Sequence, residues 1–142
     1  MSTSLIYSMD LSFPSELGYE VIARDAVSAF ARRMGLSAER IEDLKTALSE
    51  ACINAIEHGN SLRPDLRVTV HCHLEPDRLV IEVVDEGTAE FVVRDNLPTI
   101  SEKVAGLGPL RGMGLMLISQ LCDESSFEPC ANGNRMRLAF SR

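Results

Sequence analysis

The segment from Ile41 to Gly59 constrains the fold more than any other, because it has the pattern of a helix packed against a core yet carries polar residues on one stripe. Ser37 can cap the start of this helix, and Gly59 ends it. Apolar residues recur at three- and four-residue spacing along its inner face: Ile41, Leu44, Leu48, Ala51, Ala55 and Ile56. The pattern predicts a long, mostly buried helix.

Glu50 and Asn54 are the polar residues on this helix that call for an explanation. They are one turn apart and therefore share one face. A largely buried helix should not carry two polar groups on one stripe unless a site needs them. A general base beside an amide oxygen that binds a metal is one such need, and a solvated helix face is the ordinary alternative.

The composition limits the classes of protein to which the chain can belong. Its 142 residues leave room for one domain, 1–142, and 45% of them are apolar. The sequence has neither a long apolar run nor a signal-peptide pattern, so we expect a cytoplasmic protein with no membrane partner. The formal net charge is −7, which disfavours direct nucleic-acid binding and favours a protein or small-molecule partner.

The four cysteines lack CxxC spacing and lie in apolar segments, which favours reduced, buried thiols: Cys52, Cys72, Cys122 and Cys130. The run His71-Cys72-His73 resembles a metal-binding cluster. In a strand, however, the histidines would lie on one face and the cysteine on the other, which disfavours a metal site.

The remaining chain alternates strand and helix patterns. A short apolar segment, Leu5 to Phe13, predicts an edge strand, and Ser15 to Met34 predicts a helix stopped by Gly35. The inner stripe of that helix is predicted to include Leu17, Val21 and Ile22. Further strands are predicted at 66–74, 78–84, 127–130 and 135–140, with a third helix at 112–122. The order predicts an α+β fold, a two-layer α/β sandwich whose mixed, mostly antiparallel sheet is covered on one face by helices.

A long segment of weak periodicity, about 86–111, separates the second hairpin strand from the third helix. Pro98, Gly106, Gly108 and Pro109 interrupt it. Structureless loops of this length are uncommon in compact domains and are usually functional or disordered. Because this segment leads directly into a helix, we interpret it as a lid over a ligand.

Two further motifs point to a nucleotide. Asp85 and Gly87 follow an apolar strand, where a carboxylate can accept a hydrogen bond from the exocyclic amine of adenine, although the pair is also an ordinary turn signal. The glycine-rich run from Gly106 to Gly114 opens a helix, and N–H groups at a helix start favour phosphate oxygens. A flexible hinge is the alternative there, and Arg111 could reach a terminal phosphate or remain a solvated charge.

Taken in order, these motifs resemble those of the GHKL (histidine-kinase-like) ATPases, and within them the anti-sigma factor serine/threonine protein kinases of bacteria. The resemblance covers about residues 8–140. The run from Glu50 to Gly59 matches the family's N box, the run from Asp85 to Gly87 its G1 box, and the run from Arg111 to Ile118 its G2 box.

The resemblance implies roles for individual residues. Glu50 would be the general base and Asn54 the Mg²⁺ ligand, with Asp85 and Gly87 against adenine. Arg111 would assist catalysis. The other nucleotide-binding positions that the resemblance implies are His58, Gly106, Gly108, Gly112, Met113 and Gly114.

The sequence also departs from the family pattern. Ala89 stands where many relatives have a second G1 glycine, although the anti-sigma kinases often lack it. Asn134 follows Gly133 where a threonine is frequent, which leaves that nucleotide contact open. No histidine-phosphoacceptor domain precedes the ATPase segment, which argues against a complete histidine kinase.

The resemblance implies an ATP-dependent serine kinase and anti-sigma regulatory factor that uses ATP, yields ADP and needs Mg²⁺. It would phosphorylate an anti-sigma factor antagonist protein and bind a sigma factor, and relatives of this type are commonly homodimers. Two alternatives stay open: a non-catalytic nucleotide-binding module that switches partners, and a switch kinase that acts on a scaffold protein.

Overall fold

The computed structural model describes residues 6–87 and 111–142, with the side chains of 111–113 left out of the description. The elements, in chain order, are β1 (Ser8–Pro14), α1 (Tyr19–Arg33), α2 (Ala38–Asn54), β2 (Arg67–Leu74), β3 (Arg78–Asp85), α3 (Arg111–Leu121), β4 (Glu124–Cys130) and β5 (Gly133–Ser141). A π-helical turn, Ala55–Gly59, continues α2. No helix among the described residues is long and apolar enough to cross a bilayer.

The five strands form one sheet in the order β1-β2-β3-β5-β4. The predicted two-layer α+β architecture and the edge position of β1 are confirmed. The predicted mixed sheet is corrected, since every pairing of the described strands is antiparallel. The physical reason is that hairpins join β2 to β3 and β4 to β5, while two successive helices, α1 and α2, return the chain between β1 and β2.

Alternation along the strands separates a buried face from an open one. Inward residues of the sheet pack against the helices in one core, and they include Val70, Ile81 and Leu138. On β2, Cys72 is buried whereas His71 and His73 lie on the opposite face, so the predicted division of this run between two faces is confirmed. The open face carries ion pairs instead of apolar contacts.

Helix α1 is rotated relative to the sequence prediction. Its core-facing residues include Ala23, Val27 and Ala31, all fully buried. The predicted inner residues Val21 and Ile22 are instead 41% and 58% exposed. The error arises because alanine and valine residues recur at helical spacing on more than one face of α1. The face that is buried in the structure carries small residues, which allow a close approach to α2. The helix also starts later than predicted.

The turn before α1 explains that later start. Ser15 is 1% exposed, and its backbone N–H and hydroxyl both donate to the carbonyl of Leu66, at 3.1 and 2.9 Å. These bonds hold the chain in a turn until Gly18, whose φ of 113° lies in the left-handed region. Leu17 in this turn is 54% exposed, so its predicted place in the inner stripe is also wrong.

Helix α2 begins as predicted and ends differently. The Ser37 hydroxyl accepts the N–H of Arg40 at 3.2 Å, which confirms the predicted cap. After Asn54 the helix widens into the π-helical turn, and the N–H of Asn60 donates to the carbonyl of Ala55 at 2.9 Å. The helix therefore reaches Gly59 as predicted, but its last turn holds an extra residue.

Arg40 lies in the first turn of α2 and connects this helix to α3 and β5. Its guanidinium lies 2.5 Å from Oδ2 of Asp123 and 2.8 Å from Oδ2 of Asp43. It also stacks 5.3 Å from the ring centroid of Phe140. The same Asp123 oxygen accepts the backbone N–H of Ser141 at 2.7 Å, so one carboxylate links both layers.

Three of the cysteines are buried, as predicted, and all four are free thiols. Burial raises the pKa of Cys72 to about 11 and that of Cys122 to about 12, so both stay protonated at neutral pH. Cys130 is only half-buried, because it ends β4 at the edge of the sheet, and this corrects the prediction that it is buried.

Candidate functional site

The ends of several secondary-structure elements meet above one end of the sheet. Helix α2 ends there at Asn54, β3 ends at Asp85, and α3 begins close by at Arg111. Because β3 and β5 are antiparallel, Asp85 pairs directly with Asn134 at the start of β5. The topology therefore brings together residues that are up to 80 positions apart in the sequence, from Asn54 to Asn134.

A pocket lies between α2, β3 and α3, with about 350 Å³ of empty space that is partly open to solvent. Its lining is Ala51, Asn54, Ala55, Gly59, Val83, Asp85, Leu115, Phe127 and Met136. Most of these side chains are apolar, and the polar groups are the amide of Asn54 and the carboxylate of Asp85. Such a lining suits a flat apolar ring with a polar edge.

Asp85 is 5% exposed and is held by neutral hydrogen-bond donors. Its Oδ1 atom accepts the N–H of Gly87 at 2.9 Å, and it accepts the backbone N–H and side-chain amide of Asn134 at 3.2 and 3.1 Å. Burial raises the pKa of Asp85, and these three bonds oppose that shift. The Oδ2 atom accepts no hydrogen bond from the described part of the chain and lies against Gly59.

Three glycines allow this packing. A Cβ on Gly59 would overlap Oδ2 of Asp85, a Cβ on Gly87 would overlap the carbonyl of Gly59, and one on Gly133 would overlap the carbonyl of Asp85. The absence of a Cβ at Gly87 therefore permits a close approach of the Gly59 backbone, and the predicted contact of Gly87 with adenine stays a prediction. Gly59 is the last residue of the π-helical turn.

Glu50 and Asn54 are half-buried, and both face the first turn of α3. A Cβ placed on Gly114 would lie 2.8 Å from Oε2 of Glu50 and 3.5 Å from Nδ2 of Asn54. Nδ2 of Asn54 is buried and has no hydrogen-bond partner among residues 6–87 and 111–142. An unpartnered buried amide is costly, which supports a ligand that satisfies it.

The other predicted site residues are placed less closely. His58 lies in the π-helical turn with its side chain 27% exposed, and its Nε2 is 3.7 Å from Oε2 of Glu57. Arg111, Gly112 and Met113 form the first turn of α3. Gly106, Gly108 and most of the predicted lid, 88–110, lie outside the described residues.

Sequence reasoning missed Asn60, which is 1% exposed. Its Oδ1 accepts the N–H of Glu86 at 2.9 Å, and its Nδ2 donates to the hydroxyl of Ser15 at 2.6 Å and the carbonyl of Arg67 at 3.0 Å. This side chain fixes the backbone between Asp85 and Gly87. Its only sequence signal was a polar residue directly after the helix-ending glycine.

The fold and the site together define a class of protein. Residues 13–140 match the Histidine kinase-like ATPase domain family, and the chain belongs to this family. The predicted resemblance to histidine-kinase-like ATPases is thereby confirmed.

Two curated relatives narrow the comparison, and both are named Serine-protein kinase RsbW. The protein from Listeria innocua is 35% identical over 117 residues, which cover 80% of this chain and 74% of the relative. The protein from Bacillus velezensis is 35% identical over 136 residues, which cover 87% of this chain and 79% of the relative. The chain is thus a homologue of the RsbW serine-protein kinases, in agreement with the kinase branch that the sequence predicted.

A solved structure supports the fold independently. The RsbU and RsbW domains of a Mycobacterium tuberculosis protein match 95% of this chain with a TM-score of 0.68 and 19% sequence identity. This chain corresponds to 33% of the length of that one. The likeness confirms the histidine-kinase-like fold.

Proposed function

We propose that this protein is an ATP-dependent serine protein kinase and anti-sigma regulatory factor whose active site is the pocket between α2, β3 and α3. The observation that carries the proposal is the position of Glu50 and Asn54 against Gly114, with the carboxylate of Asp85 in the same pocket. A binding site alone needs no general base, so the presence of Glu50 beside an unpartnered amide favours catalysis.

The Asp85 end of the pocket would bind the adenine ring. The Oδ2 atom of Asp85 can accept the exocyclic amine, and Val83, Leu115 and Met136 supply apolar contacts to the ring. The close backbone contacts of Gly59 and Gly87 leave no side chain between the carboxylate and the pocket. These features support ATP as the nucleotide.

The Asn54 amide would hold Mg²⁺. Its buried, unpartnered terminal atom fits this role, because a half-turn about the last side-chain bond presents either the oxygen or the nitrogen to the pocket. Oxygen is the donor that Mg²⁺ prefers, and the bound ion would offset the charge of the phosphates. The first turn of α3, with Gly112, Met113 and Gly114, would direct N–H groups and the positive end of the helix dipole at the phosphates.

Glu50 would act as the general base in the transfer. The serine oxygen of the substrate forms a bond to the γ-phosphorus, the bond from that phosphorus to the bridging oxygen breaks, and ADP leaves with the bond's electron pair. The serine proton passes to the Glu50 carboxylate. Arg111, at the start of α3, would stabilise the transferring group, and His58 would contribute to the nucleotide site from the π-helical turn.

The partners would be proteins. By the family resemblance, the substrate is an anti-sigma factor antagonist and the regulated partner a sigma factor, in the cytoplasm and without direct contact to nucleic acid or membrane. The exposed apolar residues Leu17, Val21 and Ile22 around the start of α1 support a protein-binding surface, for a partner or for a second copy of this chain.

A phosphoryl-transfer assay tests the proposal. The purified protein is incubated with ATP, Mg²⁺ and candidate antagonist proteins from the same genome, and phosphoserine is measured by mass spectrometry, with nucleotide affinity measured by calorimetry. We expect Mg²⁺-dependent ATP binding and one phosphorylated serine. ATP binding without transfer to any antagonist would favour the non-catalytic module, and transfer only to a scaffold protein would favour the switch kinase.

Replacement of Glu50, the proposed general base, makes this assay more specific. Glu50→Gln should keep ATP affinity and lose transfer by about 100-fold or more, since the amide stays polar but cannot accept the proton. Glu42→Gln, on the same helix with its side chain 72% exposed, is the matched control and should transfer normally. Normal transfer by Glu50→Gln would overturn the assignment of the base.

A further inference from the structure

We propose that Asn134 is a specificity-determining positioning residue, which orients the carboxylate of Asp85 so that the site selects a purine with a 6-amino group. The inference rests on the proposed ATP site and deepens it. Asn134 is one of the few buried polar residues among those the structure describes, at 5% exposed, and its register partner on the neighbouring strand is Asp85.

The hydrogen bonds are unevenly divided between the two carboxylate oxygens. Oδ1 of Asp85 receives both donors of Asn134, the backbone N–H at 3.2 Å and the side-chain Nδ2 at 3.1 Å, in addition to the N–H of Gly87. Oδ2 receives none from the described residues and lies against Gly59. The two backbone donors exist whatever residue occupies position 134. The side-chain amide is therefore the one donor of these three that depends on which residue occupies position 134.

The three donors fix the plane of the carboxylate, because a partial rotation about its last bond would break their hydrogen bonds, and a half-turn would only exchange two equivalent oxygens. The second oxygen therefore stays against Gly59, beside the pocket that Asp85 and Gly59 both line. An anchored acceptor favours a ligand that donates at that point, as the 6-amino group of adenine does. A ligand with a 6-oxo group presents a second acceptor to the carboxylate, which leaves both groups unpaired and is disfavoured.

Asparagine and threonine differ at position 134 in the length and the donor group of the side chain. A threonine at this position would offer one hydroxyl that can donate, but its side chain is shorter than a carboxamide. The amide of Asn134 instead reaches across the strand pair and supplies a second N–H to the same oxygen. The donor is neutral, so it positions the carboxylate with no competing charge.

The test compares two nucleotides that differ only at the recognised group. Affinities for ATP and for purine riboside triphosphate, which lacks the 6-amino group, are measured by calorimetry in the wild type, Asn134→Ala and Asn134→Thr. Asn132→Ala, an exposed position in the same hairpin, is the matched control. Thermal unfolding of each variant shows that the comparison is made on folded protein.

We expect the wild type to prefer ATP, and Asn134→Ala to lose about tenfold in ATP affinity while its affinity for the analogue changes less than about twofold. Asn134→Thr should retain part of the preference, because its hydroxyl can donate, and the control should retain all of it. If the alanine variant does not fold, the threonine variant carries the comparison, and a full wild-type preference in it would overturn the inference.

Other outcomes separate this inference from the proposed function. Equal losses for both nucleotides, or an unchanged preference, in a folded Asn134→Ala would overturn the role of Asn134 while leaving the ATP site intact. A wild type that binds ATP and the analogue equally would overturn adenine recognition by Asp85 and this inference with it. A wild type that binds neither would overturn the proposed function itself.

Discussion

Gly59 lies so close to Asp85 that a single added carbon on the glycine would overlap the Oδ2 atom of the carboxylate. The contact joins the π-helical turn after α2 to the end of β3. It also makes position 59 a sensitive measure of the site's geometry.

Gly59→Ala should destabilise the protein by about 1–3 kcal/mol, because the added carbon would overlap the side chain of Asp85, whose carboxylate is held by three hydrogen bonds. Asp85→Ala removes the overlapping oxygens, so the cost of Gly59→Ala should shrink in that background. Chemical unfolding of the two single variants and the double variant measures this coupling. Strict additivity of the two changes would contradict the contact.

Gly114→Ala should act on Glu50 and leave the fold largely intact. The added carbon would lie 2.8 Å from Oε2 of Glu50, which is the mobile end of a long side chain and can move aside. We expect phosphoryl transfer to fall about tenfold or more, with a smaller change in ATP affinity. Gln120→Ala, an exposed change on the same helix, should alter neither quantity in the same assay.

Burial of the Asp85 carboxylate should lower the stability of the folded protein at neutral pH, although the same carboxylate is expected to bind ATP. Its pKa is raised in the folded protein, chiefly by burial, so its contribution to stability is present at low pH and is lost as the pH rises through the folded pKa. Asp85→Asn should therefore gain stability relative to the wild type as the pH rises from acid to neutral, while it loses ATP binding. Unfolding curves across that range measure the trend, and a constant difference between the two proteins would contradict it.

Asp123 should show the opposite dependence. The N–H of Ser141, together with the nearby guanidinium of Arg40, lowers the pKa of this carboxyl. Its contribution to stability is then present above the ordinary aspartate pKa of about 3.9 and is lost as the pH falls through the folded value. Asp123→Asn should destabilise the protein at neutral pH, and the deficit should close in acid. Asp25→Asn, with a side chain 62% exposed, is the control and should show little effect.

The sequence predicted those features that depend on neighbours within the chain. Helical spacing placed Glu50 and Asn54 on one stripe, and the structure brings that stripe against Gly114. An apolar strand that ends in an acid placed Asp85 at the edge of the sheet, where it lines the pocket. Both patterns are local, so periodicity alone was enough to predict them.

Features that depend on distant contacts were not predictable in this way. Asn60 is hydrogen-bonded to Ser15 and to the backbone of Glu86, and Asn134 is hydrogen-bonded to Asp85. The partners in each pair are separated by many residues in the sequence. The orientation of α1 was mispredicted because its true buried face is built from small residues such as Ala23. The π-helical turn has no sequence signature, since its extra residue is stabilised by tertiary packing.

The neutral surroundings of Asp85 have a consequence for how the two ends of the pocket respond to ionic strength. Among the residues that the structure describes, the groups that act on this carboxylate are backbone and amide donors, and none of them is a lysine or an arginine. Added salt screens interactions between charges and leaves hydrogen bonds to neutral donors largely unaffected. Recognition of the base should thus persist in concentrated electrolyte, and any loss of nucleotide affinity there would originate at the triphosphate.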